Sequence, residues 1–146
     1  MKAKDMMSVP VTEVFESATV QRAAQIMAAH RAGILLVTDE GGHMKGVVTD
    51  RDLLLRSVAV ELDPAHVTVG ECMSGPDSPG GQLVTVKPDD DLEDVVAVMH
   101  KAGVHRVVVS ADGRRAVGLL SFDEIASDLK RYLGEFLSVA SRYHKL

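Results

Sequence analysis

The chain has 146 residues, of which 46% are hydrophobic and only 3% aromatic, with no Trp, so aliphatic side chains and Met must fill its core. Its formal net charge of −5 argues against a nucleic-acid-binding protein, which needs a basic face. No apolar run approaches the roughly 18 residues that cross a membrane. The N-terminus also lacks the apolar segment of a signal peptide, so we expect a cytoplasmic protein without a membrane span.

The first half of the chain predicts the order strand, helix, strand, strand, helix. Its first helix carries apolar residues at i, i+3, i+4 and i+7, the pattern of a helix that lies on a sheet, and Ser17 or Thr19 can cap it. The two later strands flank a turn that contains Gly, as in a β-hairpin. Residues 59–68 are expected to connect the two halves. The predicted elements are a strand at 11–14, a helix from 20, strands at 34–38 and 45–49, and a helix from about Arg51.

The second half predicts the same order because it repeats the first. A shift of 72 residues aligns a long stretch without a gap and superimposes Gly46 on Gly118. A shift of 66 residues aligns Met7-Ser8 with Met73-Ser74, so the second copy carries extra residues, which lie within 75–81. Their Gly, Pro and Ser content predicts an exposed loop. The predicted elements are a strand at 83–86, a helix from 92 capped within 89–91, strands at 106–110 and 116–121, and a helix from about Asp123.

One copy of about 60 residues buries too little surface to be stable alone. We therefore predict an α/β fold in which two β-α-β-β-α copies, residues 1–63 and 64–146, pack about a pseudo-twofold axis. The last helix extends beyond the repeat and carries an apolar stripe at helical spacing. This stripe either covers the chain's own core or forms the contact of a homodimer, and we favour the homodimer. The stripe consists of Ile125, Leu129, Leu133, Phe136, Leu137 and Ala140.

The motif Gly-Val-Val-Thr-Asp-Arg-Asp-Leu at 46–53, in a tandem order of this kind, resembles the cystathionine-beta-synthase (CBS) domain pair, or Bateman module, over about residues 5–129. The resemblance implies a regulatory module that binds an adenine nucleotide between its copies and signals to a partner protein. It also implies that Thr49 and Asp52 bind the ribose of the ligand, and a carboxylate can accept hydrogen bonds from both ribose hydroxyls. Without the resemblance, these residues are an N-cap and a first-turn acid.

The second copy departs from the family pattern at its acid. Ser121 occupies the hydroxyl position, but Glu124 stands where the family usually has Asp. The extra methylene moves the carboxylate about an ångström further out, so the group must be repositioned to contact the same ligand atom. Altered binding, weak binding and no binding all stay open for this second site.

Two basic residues, His105 and Arg106, stand directly before a predicted strand of the second copy. The resemblance implies that they contact ligand phosphates, and Arg can bind a phosphate through two hydrogen bonds. We expect them to reach toward Asp52. The alternative is an ion pair between Arg106 and a surface carboxylate. Arg51 is a further phosphate candidate.

Apolar side chains are expected to hold the adenine, although a place in the core explains most of them equally well. Thr12 and Thr85 are possible polar contacts on the first strands. The apolar candidates are Val11, Val14, Gly33, Ile34 and Val48.

The expected ligand is AMP, ADP, ATP or NAD. One alternative is a constitutive dimeric interaction module whose pockets bind nothing. The other is a sensor of S-adenosylmethionine, whose cationic sulfonium does not suit Arg106.

No catalytic or metal motif accompanies these residues. The single Cys72 has neither a disulfide partner nor metal-ligand spacing, and the six His residues are scattered. The sequence has no Gly-rich phosphate loop and no nucleophile motif, so we expect neither an enzyme nor a metal protein.

Overall fold

Each half of the chain folds into a three-stranded sheet with helices packed on it, in a computed structural model that describes residues 1–76, 78 and 81–143. Asp77, Pro79 and Gly80 of the predicted loop lie outside the described residues. The first half contains α1 (Ala3–Met6), β1 (Glu13–Phe15), α2 (Val20–His30), β2 (Ile34–Thr38), β3 (Met44–Thr49) and α3 (Asp50–Arg56). The second half contains α4 (Val69–Cys72), β4 (Thr85–Val86), α5 (Leu92–Ala102), β5 (Arg106–Val109), β6 (Gly118–Ser121) and α6 (Phe122–Tyr143).

The two sheets have the same topology, which confirms the predicted α/β fold of two tandem repeats. In each sheet the first strand runs parallel to the second, and the second is antiparallel to the third. The equivalent pairs Val14–Val37 and Val86–Val109 occupy the same register. The predicted strand order is therefore confirmed, although β1, β4 and β6 each begin two residues later than the patterns indicated.

The first helix of each repeat begins after a predicted N-cap, Thr19 for α2 and Asp91 for α5, although Asp91 makes no side-chain capping hydrogen bond. The hydroxyl of Thr19 accepts a hydrogen bond from the Arg22 amide at 3.1 Å, so Thr19 rather than Ser17 is the N-cap of α2. Helix α5 ends at Gly103 with φ of 66°, a left-handed conformation that glycine adopts without strain. At the equivalent C-cap of α2, Arg31 has φ of 52°.

The short helices α1 and α4 were not predicted. Each one packs into the core of the other repeat. The core of the first repeat includes residues of α4, among them Val69 and Cys72, whereas the core of the second includes Ala3 and Met6 of α1. All four side chains are buried. The division at residue 63 stays a prediction, since each core takes one helical turn from the other half of the chain.

Backbone pairing continues this exchange into the sheets. Ser8 and Leu119 exchange two backbone hydrogen bonds of 2.8 and 3.2 Å, and Ser74 and Val47 exchange two of 2.8 and 2.9 Å. The chain that follows α1 therefore pairs with the last strand of the second repeat, and the chain that follows α4 pairs with the last strand of the first. Each repeat depends on the other for both its core and its sheet edge.

The pairing beside β3 requires glycine at residue 46. A Cβ atom there would collide with the carbonyl oxygen of Ser74, which is backbone and cannot move aside. We expect Gly46→Ala to lower the free energy of unfolding by about 1–3 kcal/mol, since an added methyl group forces the paired segments apart. Thermal and urea unfolding measure this effect.

Gly134 of α6 provides the matched control, because a Cβ there has no atom within 4 Å. In a helix interior, Gly134→Ala should raise stability by about 0.5–1 kcal/mol. Equal stability of the Gly46→Ala variant and the unsubstituted protein would contradict the close approach of the two segments.

Candidate functional site

Two pseudo-symmetric pockets lie between the repeats. Pocket A has a volume of about 240 Å³ and pocket B about 330 Å³. Pocket A is lined by Ile34, Val47, Thr49, Asp52, Ser74, Gln82, Leu83, Val84, Val104, His105, Arg106, Val107 and Val108. Pocket B is lined by Ser8, Pro10, Thr12, His30, Arg31, Ala32, Gly33, Ile34, Arg106, Leu119, Leu120, Ser121 and Glu124.

Helix α3 positions the polar pair of pocket A through a capping box. The Thr49 hydroxyl accepts a hydrogen bond from the Asp52 amide at 3.1 Å, and Oδ2 of Asp52 accepts one from the Thr49 amide at 2.9 Å. Both residues are half-buried. The Thr49 hydroxyl keeps its proton to donate, and the Asp52 carboxylate keeps acceptor sites on both oxygens. A capping function is thus compatible with ligand binding by the same pair.

The side chain of Arg56 contacts the Asp52 carboxylate from within the first repeat. Its Nη1 lies 3.5 Å from Oδ1 of Asp52 and donates hydrogen bonds to the carbonyl oxygen of Cys72 at 2.9 Å and to the Ser74 hydroxyl at 3.3 Å. The acid of α3 and the segment after α4 are therefore joined by one guanidinium group.

His105 and Arg106 lie opposite Thr49 and Asp52 in pocket A, although they come from the other repeat. The His105 ring meets the Phe122 ring edge to face, with centroids 6.3 Å apart. In the described part of the chain, Arg106 has no carboxylate oxygen within 4.0 Å. The predicted alternative of an ion pair for Arg106 is absent there, and its exposed guanidinium group is available to a ligand.

Arg106 also lines pocket B, as Ile34 does. Its Nη2 lies 3.6 Å from the point where a Cβ of Gly33 would lie, and Oδ2 of Asp50 lies 3.5 Å from the same point. The strand position that carries Arg106 in the second repeat carries Ile34 in the first, so one arginine stands between two pockets.

Pocket B contains a second capping box, but its acid is differently engaged. Oε2 of Glu124 accepts hydrogen bonds from the amide and hydroxyl of Ser121 at 2.7 and 2.9 Å. Oε1 of Glu124 accepts a hydrogen bond from the hydroxyl of Ser8. The extra methylene thus lets Glu124 reach the segment after α1 directly, whereas Asp52 reaches the equivalent segment only through Arg56.

The remaining predicted site residues are dispersed. Thr12 lines pocket B rather than pocket A, and the exposed Arg51 and half-buried Val11 line neither. Val14 and Val48 are buried in the first core, so their core explanation is the one that the fold supports.

Three polar residues of pocket A or its support were missed from the sequence, namely Arg56, Ser74 and Gln82, and so were apolar lining residues such as Val84 and Val104. A signal existed for Ser74, because Met73-Ser74 repeats Met7-Ser8 and Ser8 lies in pocket B. Neither Arg56 nor Gln82 has a counterpart of its own type at the equivalent position, so the repeat gave no indication of them.

The described residues contain neither a candidate metal site nor a candidate membrane span. Within residues 1–76, 78 and 81–143, no three His, Cys, Asp or Glu side chains form a group that could hold a metal ion. Over the same residues, no helix combines the length and the apolar character that crossing a membrane requires.

Comparison with known proteins gives both sequence and structural matches. Hypoxic response protein 1 of Mycobacterium tuberculosis is 32% identical over 130 residues, which cover 89% of this chain and 86% of that protein. The crystal structure of Hypoxic Response Protein I, with two coordinated zinc ions, superimposes with a TM-score of 0.72 and 30% identity, over 87% of this chain and 98% of that one.

Two structures with bound ligands share the fold at lower identity. The CBS domain pair of protein MJ0100, in complex with 5′-methylthioadenosine and S-adenosyl-L-methionine, has a TM-score of 0.76 and 23% identity, over 90% of this chain and 98% of that one. A CBS domain protein of Pyrobaculum aerophilum complexed with AMP has a TM-score of 0.72 and 24% identity, over 85% and 89%.

The family model for the CBS domain matches residues 3–59 and 69–131, one match for each repeat. These two matches include most of the chain, and each contains one of the two capping boxes described above. The chain therefore belongs to the CBS domain family, as a tandem pair.

Proposed function

We propose that the chain is a cytoplasmic regulatory module that binds an adenine nucleotide, namely AMP, ADP, ATP or NAD, in pocket A and signals to a partner protein. The observation that carries this proposal is the composition of pocket A. A hydroxyl and a carboxylate from the first repeat face His105 and Arg106 from the second, with apolar side chains between them. The ligand would therefore hold the two repeats together, and its binding would favour one arrangement of them.

The polar groups of pocket A suit the two ends of a nucleotide. The Asp52 carboxylate can accept hydrogen bonds from ribose hydroxyls, and Thr49 can donate one. Arg106 offers a planar set of donors that matches a phosphate. Ile34, Leu83, Val84 and Val104 supply the apolar surface that a base requires.

The bound molecules in the two structures of lower identity, AMP in one and S-adenosylmethionine with methylthioadenosine in the other, share an adenosine group. They guide the choice of compounds to test, whereas the choice of pocket A rests on its residues. The positive charge of Arg106 favours a phosphate-bearing ligand over a sulfonium compound.

Calorimetric titration with adenosine, AMP, ATP, NAD and S-adenosylmethionine tests the proposal. We expect AMP or another phosphate-bearing compound to bind, and Asp52→Ala to weaken binding about 10–100-fold through the loss of charge-assisted hydrogen bonds. Arg106→Ala should weaken AMP about 10-fold while leaving adenosine little changed, because only AMP has a phosphate.

Arg131→Ala on α6 is the control for loss of an arginine, since this exposed residue lines neither pocket. Binding of unchanged affinity in Asp52→Ala would move the site away from pocket A. An absence of binding by all five compounds would overturn the sensor in favour of a constitutive interaction module.

We propose further that the chain binds one such ligand rather than two, because both carboxylate oxygens of Glu124 are already hydrogen-bonded within pocket B. Glu124→Asp shortens the side chain by one methylene, which withdraws the acid from Ser8 and frees one carboxylate oxygen to accept a hydrogen bond from a ligand. We expect the calorimetric stoichiometry to rise from one ligand per chain to two in this variant. Ser8→Ala is the control, because it frees the acid without shortening it. A stoichiometry that stays at one ligand per chain in both variants would contradict this explanation.

We propose that the module is a homodimer whose contact includes the apolar stripe of α6. Leu133, Phe136 and Leu137 are 55%, 64% and 57% exposed, and Leu129 and Tyr132 extend the same surface. Exposed apolar surface of this extent on a helix is typical of a protein interface. A second copy would present the same stripe, as the symmetry of a twofold contact requires.

Light scattering tests the dimer. Phe136→Glu places a charge in the centre of the stripe, and we expect the mass at micromolar concentration to fall from two chains to one. Ser138→Glu introduces the same charge at an exposed position on another face of the helix and should leave the dimer intact. A monomeric protein without substitutions would contradict the proposal.

A further inference from the structure

Arg56 is the only described side chain that contacts both the acid of pocket A and the segment after α4 through its polar atoms. Nη1 lies 3.5 Å from Oδ1 of Asp52, 2.9 Å from the carbonyl oxygen of Cys72 and 3.3 Å from the hydroxyl of Ser74. The Asp52 side chain is 15% exposed and that of Arg56 34%, so solvent screens this ion pair less than one at the surface.

The second repeat has no arginine at the position equivalent to Arg56. Residue 128, which lies 72 positions later, is Asp128, and it pairs with Arg131 on α6 instead of reaching a pocket. There Glu124 contacts Ser8 without an intermediate. In the first repeat the shorter Asp52 cannot reach Ser74, and the guanidinium group of Arg56 fills the gap.

We propose that Arg56 is a positioning residue of pocket A, which holds the Asp52 carboxylate and the Ser74 hydroxyl in place for a ribose-bearing ligand and links that ligand to α4. This inference rests on the proposed function of pocket A. Arg56 contacts the ligand only through these neighbours and lines neither pocket.

The link follows from the number of bonds that the guanidinium group makes. Its hydrogen bond to the Cys72 carbonyl satisfies a backbone group beside the buried end of α4. A ligand that binds the Asp52 carboxylate therefore binds a group that is paired with Arg56, and Arg56 is hydrogen-bonded to α4. All of these contacts are made by the single nitrogen Nη1, so a lysine ammonium, which keeps the charge and three N–H donors on one nitrogen, could preserve part of them.

A double-mutant cycle with adenosine as the probe tests the inference. We expect Arg56→Met to weaken adenosine and AMP by the same factor, about 10-fold, since the lost contact concerns the ribose and not the phosphate. In an Asp52→Asn background, Arg56→Met should weaken adenosine less than twofold further, because the carboxylate through which it acts is gone. Arg56→Lys should recover part of the affinity.

Asp128→Asn is the matched control, since it changes the equivalent residue of the other repeat and should leave adenosine affinity unchanged. Circular dichroism and thermal unfolding establish whether each variant folds, and Arg56→Lys keeps the cycle measurable if Arg56→Met does not fold. Equal losses from Arg56→Met in both backgrounds would overturn the positioning function.

The rate at which a thiol reagent modifies Cys72, the chain's single cysteine, is a second measurement, and it does not depend on ligand affinity when occupancies are equal. The Cys72 residue has no exposed surface, so a thiol reagent reaches it only when α4 opens, and burial also raises the pKa of the thiol. We expect saturating adenosine to slow this modification in the unsubstituted protein. At equal occupancy, adenosine should not slow it in Arg56→Met, because α4 is no longer linked to Asp52.

The outcomes separate this inference from the proposed function. Adenosine binding that needs Asp52 but is unaffected by Arg56→Met would preserve pocket A and overturn the inference. Equal slowing of Cys72 modification in both proteins would overturn the link to α4. An absence of adenosine and nucleotide binding by the unsubstituted protein would overturn both proposals together.

Discussion

The two single-turn helices α1 and α4 are buried reciprocally, each in the core of the other repeat. Neither Ala3 of α1 nor Val69 of α4 retains any exposed surface, and each lies in the core of the other repeat. The backbone pairs Ser8–Leu119 and Ser74–Val47 then bring the following segments against the last strands. Because the exchange is mutual, the two repeats cannot separate without exposing both cores, and the clefts between them become pockets of defined shape.

The reciprocal packing also explains why the two pockets share the same backbone arrangement but differ in their polar side chains. Capping boxes at Thr49–Asp52 and Ser121–Glu124 present an acid at equivalent places. A single methylene then decides whether the acid contacts a serine directly, as Glu124 does, or through an arginine. A duplicated fold thus provides two equivalent positions, and small side-chain differences give each its own electrostatics.

Periodicity and self-similarity were sufficient to predict the repeats, because both cores consist of aliphatic residues at helix and strand spacing. They did not predict α1 and α4, since four residues form only one turn and carry no measurable period. The beginnings of β1, β4 and β6 were misjudged for a related reason. Apolar residues such as Val11, Leu83 and Val117 continue the pattern of a strand, but the paired registers begin only at Glu13, Thr85 and Gly118.

For the candidate site, local patterns in the chain identified the residues of the capping boxes and the start of the basic pair of the second repeat. They could not show which groups face one another. The fold places Asp52 and Arg106 in one pocket, places Thr12 in pocket B and brings Glu124 into contact with Ser8. These contacts join residues from different repeats, and their distances depend on how two sheets and two exchanged helices pack, which no local pattern encodes.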